Sequence, residues 1–147
     1  MEELLELKAC IQDGRYGDAL ALIGEMEEMS REDKINRIES FLDVLLVHLI
    51  KRYAEKRSTR SWDASIYHAV RQIEKINKRR KAGGYYLTEN ELADSMEEGY
   101  PAALKYASLE AFGGALDEEE LGRKVDEGKV KQEALSLLLE KRREKRK

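Results

Sequence analysis

The chain has 147 residues, of which 39% are charged, with a net charge of −3 and a single cysteine, Cys10. One cysteine excludes an intrachain disulfide, and no apolar run approaches the ~20 residues of a membrane-spanning helix. Together with a start that is acidic and amphipathic, unlike a signal peptide, these features predict a cytoplasmic domain without a membrane segment.

The charges are strongly segregated along the chain. Residues 1–50 carry a net charge of −7, residues 51–81 carry +8, residues 82–120 carry −9 and residues 121–147 carry +5. Two interpretations remain open. Antiparallel helices could neutralise one another within the fold, or the basic band of residues 51–81 could form a surface for an anionic partner.

The first 30 residues predict a helical hairpin. Leucines recur at helical spacing in residues 2–12, and Gly14 is a suitable end for this helix. A second short helix follows, with Leu20, Ile23 and Met26 among its apolar residues. Ser30 then has the features of a new helix start, because its hydroxyl can cap free N–H groups and two acids follow it.

Residues 31–56 predict the central helix of the fold. Apolar residues at helical spacing run from Ile35 to Leu49, and Phe41, Val44 and Val47 widen this stripe until most sides are apolar. A helix of this kind is a buried one, so it should form the axis of a bundle.

A basic turn at residues 57–61 separates this helix from the next. Ser61 is the predicted cap of that helix, whose core side begins with Trp62. Its outer side is basic, and it ends in a loop at residues 80–84 that contains two glycines.

The C-terminal half predicts further helices. Thr88 and Glu91 have the spacing of a capping box, Pro101 predicts a kink or break, and Asp117 predicts the cap of a last helix that ends in a basic tail. No stretch alternates with period two. The sequence therefore predicts an all-α bundle of five to six helices, with residues 1–112 as its domain and residues 113–147 as a charged extension.

One segment resembles a known family. Its residues form a leucine-rich run, a His-Leu-hydrophobic-Lys motif and an Arg-Ser-Trp motif, at Leu45, Leu46, His48, Leu49, Ile50, Lys51, Arg60, Ser61 and Trp62. This pattern resembles the bacterial domain of unknown function 29, which is abundant in cyanobacteria, and the resemblance spans roughly residues 15–112. It implies a helical bundle in a bacterial cytoplasm and no particular reaction. The family commonly ends in a tail with proline and aromatic residues, which this chain replaces with a charged helix.

The same segment contains the candidate anion-binding site: His48, Lys51, Arg52, Arg57, Arg60, Ser61 and Trp62. His48, Lys51 and Arg52 share one helix face, and the turn brings Arg60 and a helix N-terminus close to them. The structural alternative is a polar network at the end of the bundle. In that case His48 would donate to a buried carboxylate or carbonyl, Trp62 would close the bundle end, and Arg60 would pair with an acid such as Asp43 or Glu39.

The sequence gives little indication of catalysis, and it predicts no cofactor and no metal. Cys10 has no partner at ligand spacing, and the glutamates lack the Glu-x-x-His spacing of di-iron bundles. The enzymatic hypothesis uses His48 as a base, with Lys51 and Arg60 holding a phosphate-containing substrate.

These observations favour a non-enzymatic interaction or regulatory protein. Its basic band would bind an acidic protein or a phosphate-containing ligand. The alternatives are nucleic-acid binding through that band and the basic tail, and the enzymatic hypothesis. A homodimer is a further expectation, because oppositely charged blocks could pair between two copies.

Overall fold

The structure, a computed structural model, describes residues 2–79 and 83–146, with side chains as far as residue 140. The described residues form six α-helices: α1 Glu2–Gln12, α2 Tyr16–Glu55, α3 Arg60–Asn77, α4 Glu89–Glu110, α5 Glu118–Arg123 and α6 Glu127–Arg146. A 3₁₀ turn, Ala111–Gly114, links α4 to α5. Strands are absent from this part of the chain, which has one isolated bridge between Lys78 and Tyr85. The predicted all-α bundle around a long central helix is confirmed.

The central helix is longer than the sequence pattern predicts. It has 40 residues and begins at Tyr16, which corresponds to a length of about 60 Å. The predicted helix start at Ser30 is wrong, because the helix passes through this exposed residue without interruption. Residues 25–37 contain no glycine or proline and are rich in glutamate, methionine, lysine and arginine, which favour continuation of a helix.

The C-terminal half of α2 is the centre of the core. Ile38, Leu45, Leu46, Leu49 and Ile50 are fully buried. α3 and α4 cover most of this half, and α6 packs against α2, α3 and α4. None of the described helices contains a stretch that is apolar and long enough to span a membrane.

The core includes residues from both sides of residue 112. Leu121, Val130 and Ala134 are each 0% exposed and belong to the same apolar cluster as the residues of α2. The predicted division of the chain at residue 112 stays a prediction, and the core runs across it. The basic side chains at 141–147 and the predicted loop at 80–82 lie outside the part of the chain described above.

α4 runs through Pro101 without a break, so the break predicted there is wrong. Proline removes one N–H donor from the helix. Pro101 is exposed, so the carbonyl that loses this donor lies towards solvent, while Tyr100 and Ala103 beside it are buried in the core. Packing on the inner side therefore holds the helix together across the proline.

Two predicted caps are confirmed, but the single last helix predicted after Asp117 is wrong, because the chain forms α5 and α6 there. At α4, the Thr88 hydroxyl accepts from the Glu91 N–H at 3.2 Å, and the Glu91 carboxylate accepts from the Thr88 N–H at 3.2 Å. Asp117 and Glu120 make the equivalent pair of bonds at the start of α5, at 2.8 and 3.4 Å. Each pair satisfies N–H groups that the first turn of a helix leaves without partners.

The N-terminal hairpin is confirmed and projects from the bundle. We call this hairpin the arm; it consists of α1 and residues 16–30 of α2. Three residues, 13–15, connect its helices, which is short enough to make them antiparallel. Cys10 and Ala19 are its only buried residues. The arm is therefore held mainly by the pairing of its own two helices.

Asn77 fixes the segment that follows α3. This side chain is 2% exposed. It donates to the carbonyl oxygen of Leu87 at 3.1 Å and accepts from the Leu87 N–H at 2.8 Å. The Asn77 carbonyl also accepts from the Tyr86 N–H at 2.9 Å. One buried amide thus sets the position at which the chain returns to begin α4.

We expect Asn77→Ala to lower the free energy of unfolding by about 2–3 kcal/mol, because it leaves two buried groups of Leu87 without their partners. Urea unfolding followed by circular dichroism measures this change. Asn90→Ala, at an exposed position of α4, is the control and should change stability by less than about 0.5 kcal/mol. Equal effects of the two substitutions would contradict this account of Asn77.

Candidate functional site

The predicted anion site lies where α2 turns into α3. α2 ends at Lys56, which has the left-handed backbone conformation (φ 54°, ψ 37°). The cap of α3 is Thr59, whose hydroxyl accepts from the Trp62 N–H at 3.0 Å. The predicted cap at Ser61 is wrong, because Ser61 already lies inside the helix. Thr59 thus uses one of the N–H groups that the sequence reasoning assigned to an anion.

Lys51 is a buried residue, with 5% of its surface exposed. Its ammonium group lies 3.4 Å from a carboxylate oxygen of Glu110 and 4.7 Å from the centre of the Trp62 ring. A cation at this distance from an indole is attracted by the negative face of the ring. Lys51 therefore has two partners within the fold, one on α4 and one on α3.

Arg57 contacts the same indole and a neighbouring carboxylate. Its guanidinium carbon lies 4.9 Å from the centre of the Trp62 ring, and its Nε donates to Glu55 at 2.9 Å. The second carboxylate oxygen of Glu55 accepts from the Phe112 N–H at 3.2 Å. Phe112 has a φ of 52°, which is uncommon for an aromatic residue. Glu55 thus ties the turn after α2 to the strained turn after α4.

Arg52 points to a different partner. Its guanidinium lies 3.9 Å from Asp63, which also accepts a hydrogen bond from Ser58. Beside it is an open depression of about 370 Å³, lined by Arg52, Tyr53, Lys56, Arg57, Ser58 and Glu133. A hydrogen bond with Glu133 is the main cause that raises the pKa of Tyr53. The depression therefore combines three cations with an acid.

His48 bonds to its own helix. Its Nδ1 lies 2.9 Å from the Val44 carbonyl oxygen. Because a carbonyl can only accept, Nδ1 carries the hydrogen and Nε2 is left as the acceptor of the neutral ring. This is an exposed bond within α2 and differs from the bond to a buried group in the structural alternative, and it does not involve Lys51 or Arg52.

Arg60 and Ser61 are exposed at the start of α3. Among the described residues, Arg60 forms no ion pair with Asp43 or Glu39, so the predicted pairing is wrong. Asp43 instead lies against Gly99 of α4, where an added Cβ would be 3.1 Å from its carboxylate. Burial raises the pKa of Asp43.

The turn therefore brings together only part of the predicted set. Lys51 and Arg57 both contact the ring of Trp62, and their carboxylate partners are Glu110 and Glu55. We call these five residues the Trp62 cluster. Sequence reasoning missed both glutamates. Glu55 follows Lys51 by one helical turn and could have been found from that spacing. Glu110 is 59 residues from Lys51 in the sequence, and no local pattern connects it to the site.

No group of histidine, cysteine or acidic residues in the described regions is arranged to hold a metal.

Residues 11–122 match a family model described as Domain of unknown function DUF29. The chain belongs to the DUF29 family. The match includes the segment of residues 41–62 that carries the resemblance, and it extends the predicted span of 15–112 at both ends. No curated protein and no solved structure gives a match. The family thus establishes relationship without assigning an activity.

We expect Lys51→Ala to lower the free energy of unfolding by about 1–3 kcal/mol, because it removes a buried stem and a cation over an indole. Lys51→Met keeps the stem and should cost less. Lys51→Ala should also shift the emission of Trp62, the only tryptophan, to longer wavelength, because it removes a side chain that covers the ring. Urea unfolding and fluorescence test this, with exposed Lys105→Ala as control. An unchanged stability of Lys51→Ala would contradict the role of Lys51.

A second prediction follows from Asp43. Because its pKa is raised in the folded state, ionisation of Asp43 opposes folding, so stability falls as pH rises from about 4 through the folded pKa. Asp43→Asn should therefore be more stable than the native chain at pH 7 and similar to it near pH 3. Thermal unfolding at both pH values measures this, and a gain that is equal at both would contradict it.

Proposed function

We propose that this DUF29 protein is a cytoplasmic, non-enzymatic interaction protein that binds an acidic protein surface. The basic band of residues 51–81 is the surface that it uses. Within that band, the outer side of α3 carries the proposal, through Arg60, Arg71 and Lys75 on the helix and Lys78 directly after it. We call these four residues the α3 basic stripe.

The observation that supports this proposal is the difference between two groups of cations. Lys51, Arg52 and Arg57 each have a carboxylate partner within the fold. The four residues of the α3 basic stripe are exposed and have no ion pair within the described part of the chain. Cations left without partners on one helix face attract a surface of opposite charge.

The stripe is long enough for a protein contact. Arg60 and Lys75 are 15 residues apart on one helix, a distance of about 22 Å. Tyr67 lies between them on the same side and is 59% exposed. Tyrosine and arginine are enriched in protein interfaces, where they supply area and directional bonds. A phosphate-containing ligand would use the same charges.

Of the predicted anion-binding residues, Arg60 has the most direct role in this proposal. The role of Trp62, Lys51 and Arg57 would be indirect. Their cluster fixes the start of α3 and therefore the direction of the stripe. Arg52, Ser61 and His48 lie beside this region, and the charge-reversal experiment below leaves them unchanged.

An acidic protein partner is favoured over nucleic acid. The chain as a whole has a net charge of −3, whereas nucleic-acid-binding domains are commonly basic overall. Four cations on a single helix are also fewer than the roughly six to ten phosphate contacts of strong duplex binders.

Charge reversal of the stripe tests the proposal. The probes are a fluorescein-labelled peptide of glutamates and a short DNA duplex, with binding measured by anisotropy at about 50 and 200 mM salt. We expect Arg71→Glu/Lys75→Glu/Lys78→Glu to weaken peptide binding at least about tenfold, since three attractive contacts become repulsive.

The matched control is Lys105→Glu/Lys124→Glu/Lys129→Glu, which changes the net charge equally at exposed positions outside α3. It should alter peptide binding by no more than about twofold to threefold through long-range charge. Equal losses in both variants would contradict the assignment to α3. Binding of the duplex in preference to the peptide would favour the nucleic-acid alternative.

A further inference from the structure

One side of the arm exposes large apolar residues that no other part of the described chain covers. Leu4 is 55% exposed, Ile11 50%, Tyr16 65%, Leu20 70% and Ile23 36%. Single exposed apolar residues are common on soluble proteins, whereas a contiguous group usually marks an interaction site.

The helical repeat places these five residues on the same broad side of the hairpin. Each residue advances about 100° around a helix. On α1, Leu4 and Ile11 lie roughly 90° from the side of Cys10 and Leu7 that faces α2. On α2, Tyr16, Leu20 and Ile23 lie about 40–100° in the same sense from Ala19, which faces α1. Because the helices are antiparallel, equal rotations bring both groups to one side.

The charges of the arm are sorted between its two sides. By the same repeat, Lys8 and Glu27 are the charged residues beside the apolar group, one of each sign. The acids that lie towards the opposite side are Glu2, Glu6, Asp18, Glu25 and Glu28. Leu5 and Met29 are also exposed, at 67% and 60%, and lie outside this group. The hairpin thus has one predominantly apolar side of nearly balanced charge and one mainly acidic side.

We propose that two copies of this chain associate through their arms, apolar side against apolar side, as a four-helix arrangement with twofold symmetry. A twofold contact uses the same surface on both copies and closes, so it forms a dimer and no larger polymer. The acidic sides then face solvent and away from each other. Lys8 and Glu27 give each surface one charge of each sign, which makes the surface compatible with itself.

The size of this side sets the strength of the proposed dimer. α1 has 11 residues, a length of about 16 Å, and two helices side by side are roughly 20 Å wide. The footprint is therefore roughly 320 Å² on each copy and about 640 Å² in total, which is the small interface of a weak, concentration-dependent dimer. The contact differs from the pairing of charged blocks that the sequence suggested, and it leaves the α3 basic stripe free.

Sedimentation velocity of the full chain tests this proposal, at protein concentrations from about 1 to 100 μM. The native chain should be a dimer at the upper end of this range. Leu20→Glu and Leu4→Glu place a charge in the interface and should each raise the dissociation constant at least about tenfold. Circular dichroism checks that both variants stay helical.

The control is Leu109→Glu, the same substitution at a leucine of α4 that is 67% exposed. It should leave the dissociation constant within about twofold of the native value. A native chain that stays monomeric at all concentrations overturns the proposal. A dimer that Leu109→Glu weakens as much as Leu20→Glu does, or that dissociates on charge reversal of the α3 basic stripe, also overturns it.

Discussion

The burial of α2 is the constraint on which the rest of the structure depends. Its C-terminal half is apolar on most sides, so it must be covered on most sides, and α3, α4 and α6 do this together. Its N-terminal part, residues 16–30, packs mainly against α1 and has one buried residue, Ala19. One continuous helix therefore joins a closed bundle to an open arm, and the two parts differ in how completely their apolar surface is removed from water.

The same burial explains why the cations near the end of α2 have partners. The helices that cover α2 bring Glu110 and Trp62 to Lys51, and Asp63 to Arg52. A buried cation without such partners would be costly, so the fold and the charge pairing depend on each other. The outer side of α3 faces away from α2, and its cations receive no such partners. Distance from the central helix thus separates structural cations from those available to a partner.

The sequence was sufficient for the fold class because periodicity reports which side of a helix is buried. The apolar stripe from Ile35 to Leu49, the capping box at Thr88 and the cap at Asp117 are local signals, and each was confirmed. The errors at Ser30 and Pro101 have one cause: both residues are acceptable within a helix when they face solvent, and exposure depends on packing. Glu110 could not be assigned to the site because its contact joins residues that are distant in sequence.

The central claim is that Lys51 belongs to the core, whereas Lys75 and Lys78 are free on the surface. Lysine acetylation of the native protein tests this claim most directly. Brief treatment with acetic anhydride, followed by mass spectrometry of peptides, gives the relative rate at each lysine. The account predicts that Lys51 reacts at least about tenfold more slowly than Lys75 and Lys78, because its amine is buried against Trp62 and Glu110. Equal rates at the three lysines would contradict the separation of structural from available cations.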